Sequence, residues 1–161
     1  MTTEDYASFI GRERSVTLTI DATPADRLTA ALDFDDPPFG PGDALPFGWQ
    51  WMSFVGTVPR ASEAGADGRG ASGDILPRFD GLNRMWAGGR FDISRPLVIG
   101  EAVTRLSRVL AIDAKTGRSG QLVVVSLEHT YRSGGSTALV ERQDLVYREP
   151  KPFAAPAAGE T

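Results

Sequence analysis

The stretch QLVVVSLEHTYRSGGSTALVERQDLVYR, residues 121–148, decides the fold. Val123, Val125, Leu127, His129 and Tyr131 share one side of an extended run, and Ser133-Gly134-Gly135-Ser136 then gives a short hairpin signal. Thr137 to Arg148 returns as a second extended run, and Glu101 to Ala114 precedes the pair, joined through Lys115-Thr116-Gly117-Arg118-Ser119-Gly120. Three consecutive antiparallel strands follow from this pattern.

Upstream, Trp49 to Val58 is apolar on nearly every side, with Trp51, Val55 and Val58 at helical spacing. A helix apolar all round is expected inside a structure. Before it, Thr2 to Ile10 reads as a helix stopped by Gly11, residues 14–20 as a half-buried strand, and Thr23-Pro24-Ala25-Asp26 as the start of a helix from Pro24 to about Leu32. Asp33 to Gly48 is a proline-broken loop whose aspartates lack calcium-loop spacing. Pro59 to Asn83 is a second long loop, of the kind that often forms lids or binding loops. Gly89 to Ile93 begins a further strand, and the tail after Glu149 is expected to be mobile. One buried helix and an antiparallel meander make an α+β domain over residues 1–149, with residues 150–161 as a tail. Periodicity alone leaves the curved sheet gripping a helix, the hotdog, as one α+β arrangement among several.

The 161 residues suit a single domain. With no cysteine and one histidine, thiol nucleophiles and thiolate or multi-histidine metal centres are excluded within one chain. The net charge of −4 argues against general nucleic-acid binding, no apolar run approaches the ~20 residues of a membrane span, and the acidic start is unlike a signal peptide. A cytoplasmic protein is expected. Residues 81–161 hold 11 basic and 8 acidic groups against 6 and 13 in residues 1–80, so the second half is the one suited to an anion. Fifteen of the 17 basic residues are arginine, which favours bidentate contacts with phosphate or carboxylate.

The stretches LPFGWQWMSF (45–54), NRMWAGGRFDISRPLVIGEAV (83–103), KTGRSGQLVVVSLEHTYR (115–132) and VERQDLVYRE (140–149) resemble the N-terminal hotdog half of the MaoC-like dehydratases. Within that family the match is to the mesaconyl-CoA and methylfumaryl-CoA hydratase group, which is similar to the hydroxyacyl-thioester dehydratase type 2 enzymes. The resemblance implies a hotdog fold and reversible addition of water to an enoyl thioester, with coenzyme A as part of the substrate and no separate cofactor or metal. In the family a histidine acts as base with an aspartate beside it, in an Asp-x-Asn-Pro-x-His motif on the C-terminal hotdog. No such motif occurs in this sequence, so the resemblance implies a second, catalytic hotdog subunit as partner.

Candidate substrate-binding residues are Arg84, Trp86, Gly88 and Gly89, as a wall of the acyl or pantetheine tunnel with Arg84 or Arg90 offered to an anion. A second candidate group is Lys115, Thr116, Arg118 and Ser119, as a turn with two cations and two hydroxyls. His129 reads as a structural histidine rather than a base, because its strand neighbours are apolar and Glu128 faces away. The alternatives are a homodimeric hotdog that binds an acyl thioester or small acid without chemistry, and a thioesterase using Glu101, Glu128 or Glu141.

Overall fold

The computed structural model describes residues 6–55, 60–62, 75–117 and 120–150, with the side chains of Thr116 and Gly117 left aside. Strand β1 (Glu13–Thr19) leads into helix α1 (Ala22–Ala31) and then a one-turn helix α2 (Gln50–Ser53). Strands β2 (Asn83–Ile93), β3 (Ala102–Gly117), β4 (Gly120–Ser133) and β5 (Ser136–Arg148) follow. All five strands form one antiparallel sheet in the order β1-β3-β4-β5-β2. The expected three-strand meander is β3-β4-β5, and β2 is longer than its sequence signal, starting six residues before Gly89.

The β4–β5 turn has φ of 57° at Gly134 and 78° at Gly135, the left-handed pair that a two-residue hairpin loop needs. Three residues stand outside the pairing and bend the sheet: Ala87 in β2, Leu110 in β3 and Ala138 in β5. The carbonyl of Ala138 is satisfied from outside the ladder, accepting from the N–H groups of Ser94 and Arg95 at 2.9 and 3.1 Å.

The curved inner face carries two apolar clusters. Ile20, Leu45, Phe54, Leu97, Ile99, Val103, Tyr131 and Leu139 pack at one end, where α1 contributes Ala25. Val109, Ile112, Val123, Val125, Leu127, Leu145 and Tyr147 pack at the other with Tyr6 and Phe79. Burial of each large side chain is worth roughly 1.5–3 kcal/mol, so both ends are strongly held. On the outer face a charged row, Glu13, Arg108, Glu128, Arg142 and Arg90, crosses all five strands by register. Arg108 pairs with Glu13, Arg142 with Glu128, and Arg90 with Asp92.

Two expectations need correction. Helix α1 starts earlier than Pro24 because Asp21 caps it, its Oδ1 accepting from the Thr23 N–H at 2.7 Å. The Trp49–Val58 segment is helical only over Gln50–Ser53, with residues 56–59 outside the described set. Its buried side is Gln50 and Phe54, while Trp51 is 44% exposed and Val55 69% exposed. Met52, at 41%, is exposed on the same outward side. The expected tail lies outside the described residues from 151 onward.

Gly88 and Gly89 separate cleanly. A Cβ at Gly89 would stand 2.8 Å from the Arg142 carbonyl and 3.3 Å from the Trp86 ring, whereas a Cβ at Gly88 meets nothing within 4 Å. We expect Gly89→Ala to lower stability by about 1–3 kcal/mol, as overpacking does, and Gly88→Ala to leave it nearly unchanged. Urea denaturation of the two variants checks this, and equal midpoints would contradict it.

Candidate functional site

Between the two apolar clusters the inner face turns polar. The register lines up Ser107, His129, Glu141 and Phe91 across β3, β4, β5 and β2. The flanking rows add Arg105 and Tyr131 on one side and Gln143 and Gly89 on the other. His129 is buried, and its Nδ1 lies 2.7 Å from Ser107 Oγ. Glu141 is fully buried, accepting from Trp51 Nε1 at 2.9 Å, from Tyr131 Oη at 3.0 Å and from Gln143 Nε2. Three donors on one carboxyl is the pattern that an acceptor-only carboxylate requires. Gln143 gives an amide N–H to Glu141 and is also hydrogen-bonded to His129. The Ser107 hydroxyl can donate to a bare Nδ1 or accept from its N–H, so the contact serves either ring tautomer. A continuous chain of hydrogen bonds thus runs from β3 to α2.

The electrostatics follow from burial. Desolvation, and then the Arg105 guanidinium, bring His129 from 6.5 down to about 4, against the Gln143 hydrogen bond, with Arg84 adding to the shift. Desolvation and the neighbouring Glu141 push the Tyr131 phenol well above its ordinary value. Arg105 holds α2 from below, Nη1 donating to the Phe54 carbonyl at 3.1 Å. Its Nε, and Nε2 of Gln50, are buried with no acceptor among the described residues.

The polar belt opens at the β2 margin onto aromatic side chains. Phe91 is in edge contact with Phe47 at 4.7 Å between ring centroids and lies 5.9 Å from the Trp51 ring. Trp86 and Ile93 share the inner side of β2 and are more than half exposed. β2 ends the sheet, so its outer backbone edge has no strand beside it among the described residues.

The candidate residues divide between two places. Arg84 and Trp86 lie on the inner side of β2, Arg84 one residue after the strand begins at Asn83, and the Trp86 ring rests over Gly89. Gly89 therefore has an intramolecular reason to be glycine, and Gly88 faces the other side. Arg90 is on the outer face, its Nη2 2.9 Å from Asp92. Lys115 is exposed near the end of β3, opposite Leu122, and Thr116 stands opposite Gln121. Arg118 and Ser119 lie outside the described residues. From Arg84 on β2 to Lys115 on β3 is three strand spacings, about 14 Å, so the structure keeps these two cations apart. Glu101 is engaged by Ser133 Oγ at 2.6 Å and by Arg95, and Glu128 by Arg142.

Sequence reasoning passed over Arg105, Ser107 and Gln143, and weighed Glu141 only as a loose acid. The missing signal is the slip at Ala138. An unbroken hairpin would set His129 against Val140, and the extra residue sets it against Glu141.

This curved five-strand sheet with helices on its inner side is a hotdog. The chain is similar to a hot-dog-like protein from Thermanaerovibrio acidaminovorans, with a TM-score of 0.53, 12% identity, and coverage of 90% of this chain and 88% of that one. It is also similar to the HadBC complex, a 3R-hydroxyacyl-ACP dehydratase of Mycobacterium tuberculosis, with a TM-score of 0.54, 10% identity, and coverage of 86% and 96%. Residues 48–160 match the family model for hydroxyacyl-thioester dehydratase type 2, and the chain belongs to that family. A curated relative, mesaconyl-C(4)-CoA hydratase of Chloroflexus aurantiacus, is 34% identical over 160 residues. The match takes in 97% of this chain but 56% of the relative, so the chain spans little more than half that protein's length. Among the described residues no group of His, Cys, Asp or Glu is placed to hold a metal, and no helix is long and apolar enough to cross a membrane.

The depressed His129 has a consequence for stability. The unfolded chain takes up this proton near pH 6.5 and the folded chain near pH 4. Stability therefore falls as pH drops through that window, by roughly 3 kcal/mol over its whole width, and His129 has no such effect above it. In urea denaturation at pH 7.5 and 4.5, His129→Gln is expected to be the weaker protein at the higher pH and to lose that deficit at the lower. A gap that stays constant would contradict the assignment.

Proposed function

We propose that this chain is the substrate-binding hotdog of an enzyme that adds water to, or removes it from, an enoyl thioester of coenzyme A. We place a second hotdog against β2, carrying the catalytic aspartate and histidine. The observation that carries the reading is the β2 margin, unpaired among the described residues, with Trp51, Trp86 and Ile93 exposed beside it and Phe91 half-buried behind them. Exposed apolar patches of this kind mark interaction or ligand surfaces. Family membership supports the reaction class, and the heteromeric HadBC dehydratase supports a second hotdog.

In the forward reaction the oxygen of water bonds to the β-carbon, its proton goes to a general base, and a proton is returned to the α-carbon as the double bond is lost. Negative charge develops on the thioester oxygen meanwhile and needs N–H donors. His129 is unsuited to be that base: Ser107 and Gln143 occupy its ring nitrogens, and a value of about 4 lies far from neutral pH. The base is therefore assigned to the partner, and this chain's part is to bind and orient. Arg84 and Trp86 form the wall, the guanidinium facing an anionic group of the thioester and the indole its apolar part. Lys115, exposed near the end of β3, and the Thr116, Arg118 and Ser119 that follow it in sequence are assigned to coenzyme A phosphates.

Purification of the full chain from its own host should yield a complex with a hotdog subunit bearing Asp-x-Asn-Pro-x-His. That complex, and not the chain alone, is expected to hydrate crotonyl-CoA or mesaconyl-CoA, followed by loss of enoyl-thioester absorbance. Arg84→Ala should weaken thioester binding about tenfold, ~1.4 kcal/mol, the worth of one charge-assisted hydrogen bond. Ordinary turnover by the isolated chain would overturn the pairing. Binding without turnover by a homodimer, or release of free thiol, would replace the reaction.

A further inference from the structure

We infer that Glu141 is a positioning residue for Trp51, a buried carboxylate whose task is to fix an indole on the face where the acyl thioester binds. The inference rests on the thioester-binding role proposed above. Glu141 has no exposed surface and forms no ion pair among the described residues. Arg105 hydrogen-bonds the Tyr131 hydroxyl, which in turn donates to Glu141. A carboxylate in such a place is costly, and a well-packed apolar residue of similar size generally serves stability as well or better. Tyr131 and Gln143, two of its three donors, are neighbours on the sheet and lie largely or partly buried. The third, Trp51, differs in sending its N–H inward to Glu141 while 44% of the residue stays exposed.

Helix α2 cannot direct that ring by itself. It spans four residues, has no side-chain cap at Trp49, and follows Gly48 at a φ of 86°. Beyond the packing of Phe54 on Tyr131 and of Trp51 on Phe91, the hydrogen bonds between this helix end and the sheet, among the described residues, are Arg105 to the Phe54 carbonyl and the Trp51 indole to Glu141. A hydrogen bond to a charged acceptor is about twice as strong as a neutral one, which suits an anchor for an otherwise weakly held ring. So placed, the indole continues the aromatic wall of Phe47 and Phe91.

The test uses the complex with the hotdog partner and crotonyl-CoA. Glu141→Leu removes the acceptor, and Trp51→Phe removes only the donor while keeping a ring. Each should raise KM about tenfold with kcat little changed, and the double variant should raise it no further than either alone. Glu141→Gln, whose amide oxygen still faces the indole N–H, should recover most of the loss. In the chain by itself, the Trp51 indole N–H resonance, assigned by its absence in Trp51→Phe, should move in Glu141→Leu and return toward the wild-type position in Glu141→Gln. Independent, multiplying effects on KM, or an unchanged KM in variants whose indole resonance has moved, would overturn the positioning role and leave the thioester reading standing. Failure of the wild-type complex to bind crotonyl-CoA would overturn the thioester reading, and this role with it. An indole resonance that ignores Glu141 would overturn the hydrogen bond itself.

Discussion

The slip of one residue at Ala138 governs what faces what across this sheet. Side chains alternate along a strand, so an unpaired residue reverses the facing of everything beyond it relative to the partner strand. Here it turns Glu141, Gln143 and Leu145 inward and sends Val140 and Arg142 out. Ser94 and Arg95 hold the slip in place by donating to the Ala138 carbonyl, and Arg95 goes on to bind the Ser133 carbonyl at 2.7 Å. The polar belt, the Trp51 anchor and the charged outer row all depend on that local arrangement.

The belt gives the core an unusual division of labour. The two apolar ends supply the stability of burial, and the polar middle supplies direction, since a hydrogen-bond chain tolerates few arrangements of its members. Ser107, His129, Gln143 and Glu141 hold one another in one hydrogen-bonded row, and that order reaches the surface at Trp51. A pocket wall built this way inherits its rigidity from the sheet rather than from the short helix on which it sits.

Much of the fold was legible. The paired glycines at 134 and 135 announced the hairpin, and alternation placed Val123, Val125, Leu127 and His129 on one buried side, as found. The bulge at Ala138 was not legible, because one extra small residue leaves no mark in composition or spacing. Nor was the separation of Arg84 from Lys115, since sequence proximity to β3 says nothing of a strand order that sends β2 beyond β5. The apolar run at Trp49 to Val58 was read as buried because periodicity reports which side chains avoid water, and not which molecule covers them. Exposed Trp51 and Val55 are where that distinction matters.

The charged row on the convex face has a further bearing on how such a molecule associates. Stacking another surface over Glu13, Arg108, Glu128, Arg142 and Arg90 would strip water from five ions at once, at a cost of several kcal/mol for each one not paired anew. The back of the sheet is thereby closed to layered aggregation, the hazard of any broad β surface. What remains open is a margin rather than a plane. A β2 margin that meets its counterpart on a like fold is used up in that one encounter, and the joined sheet then ends only at β1 of each copy.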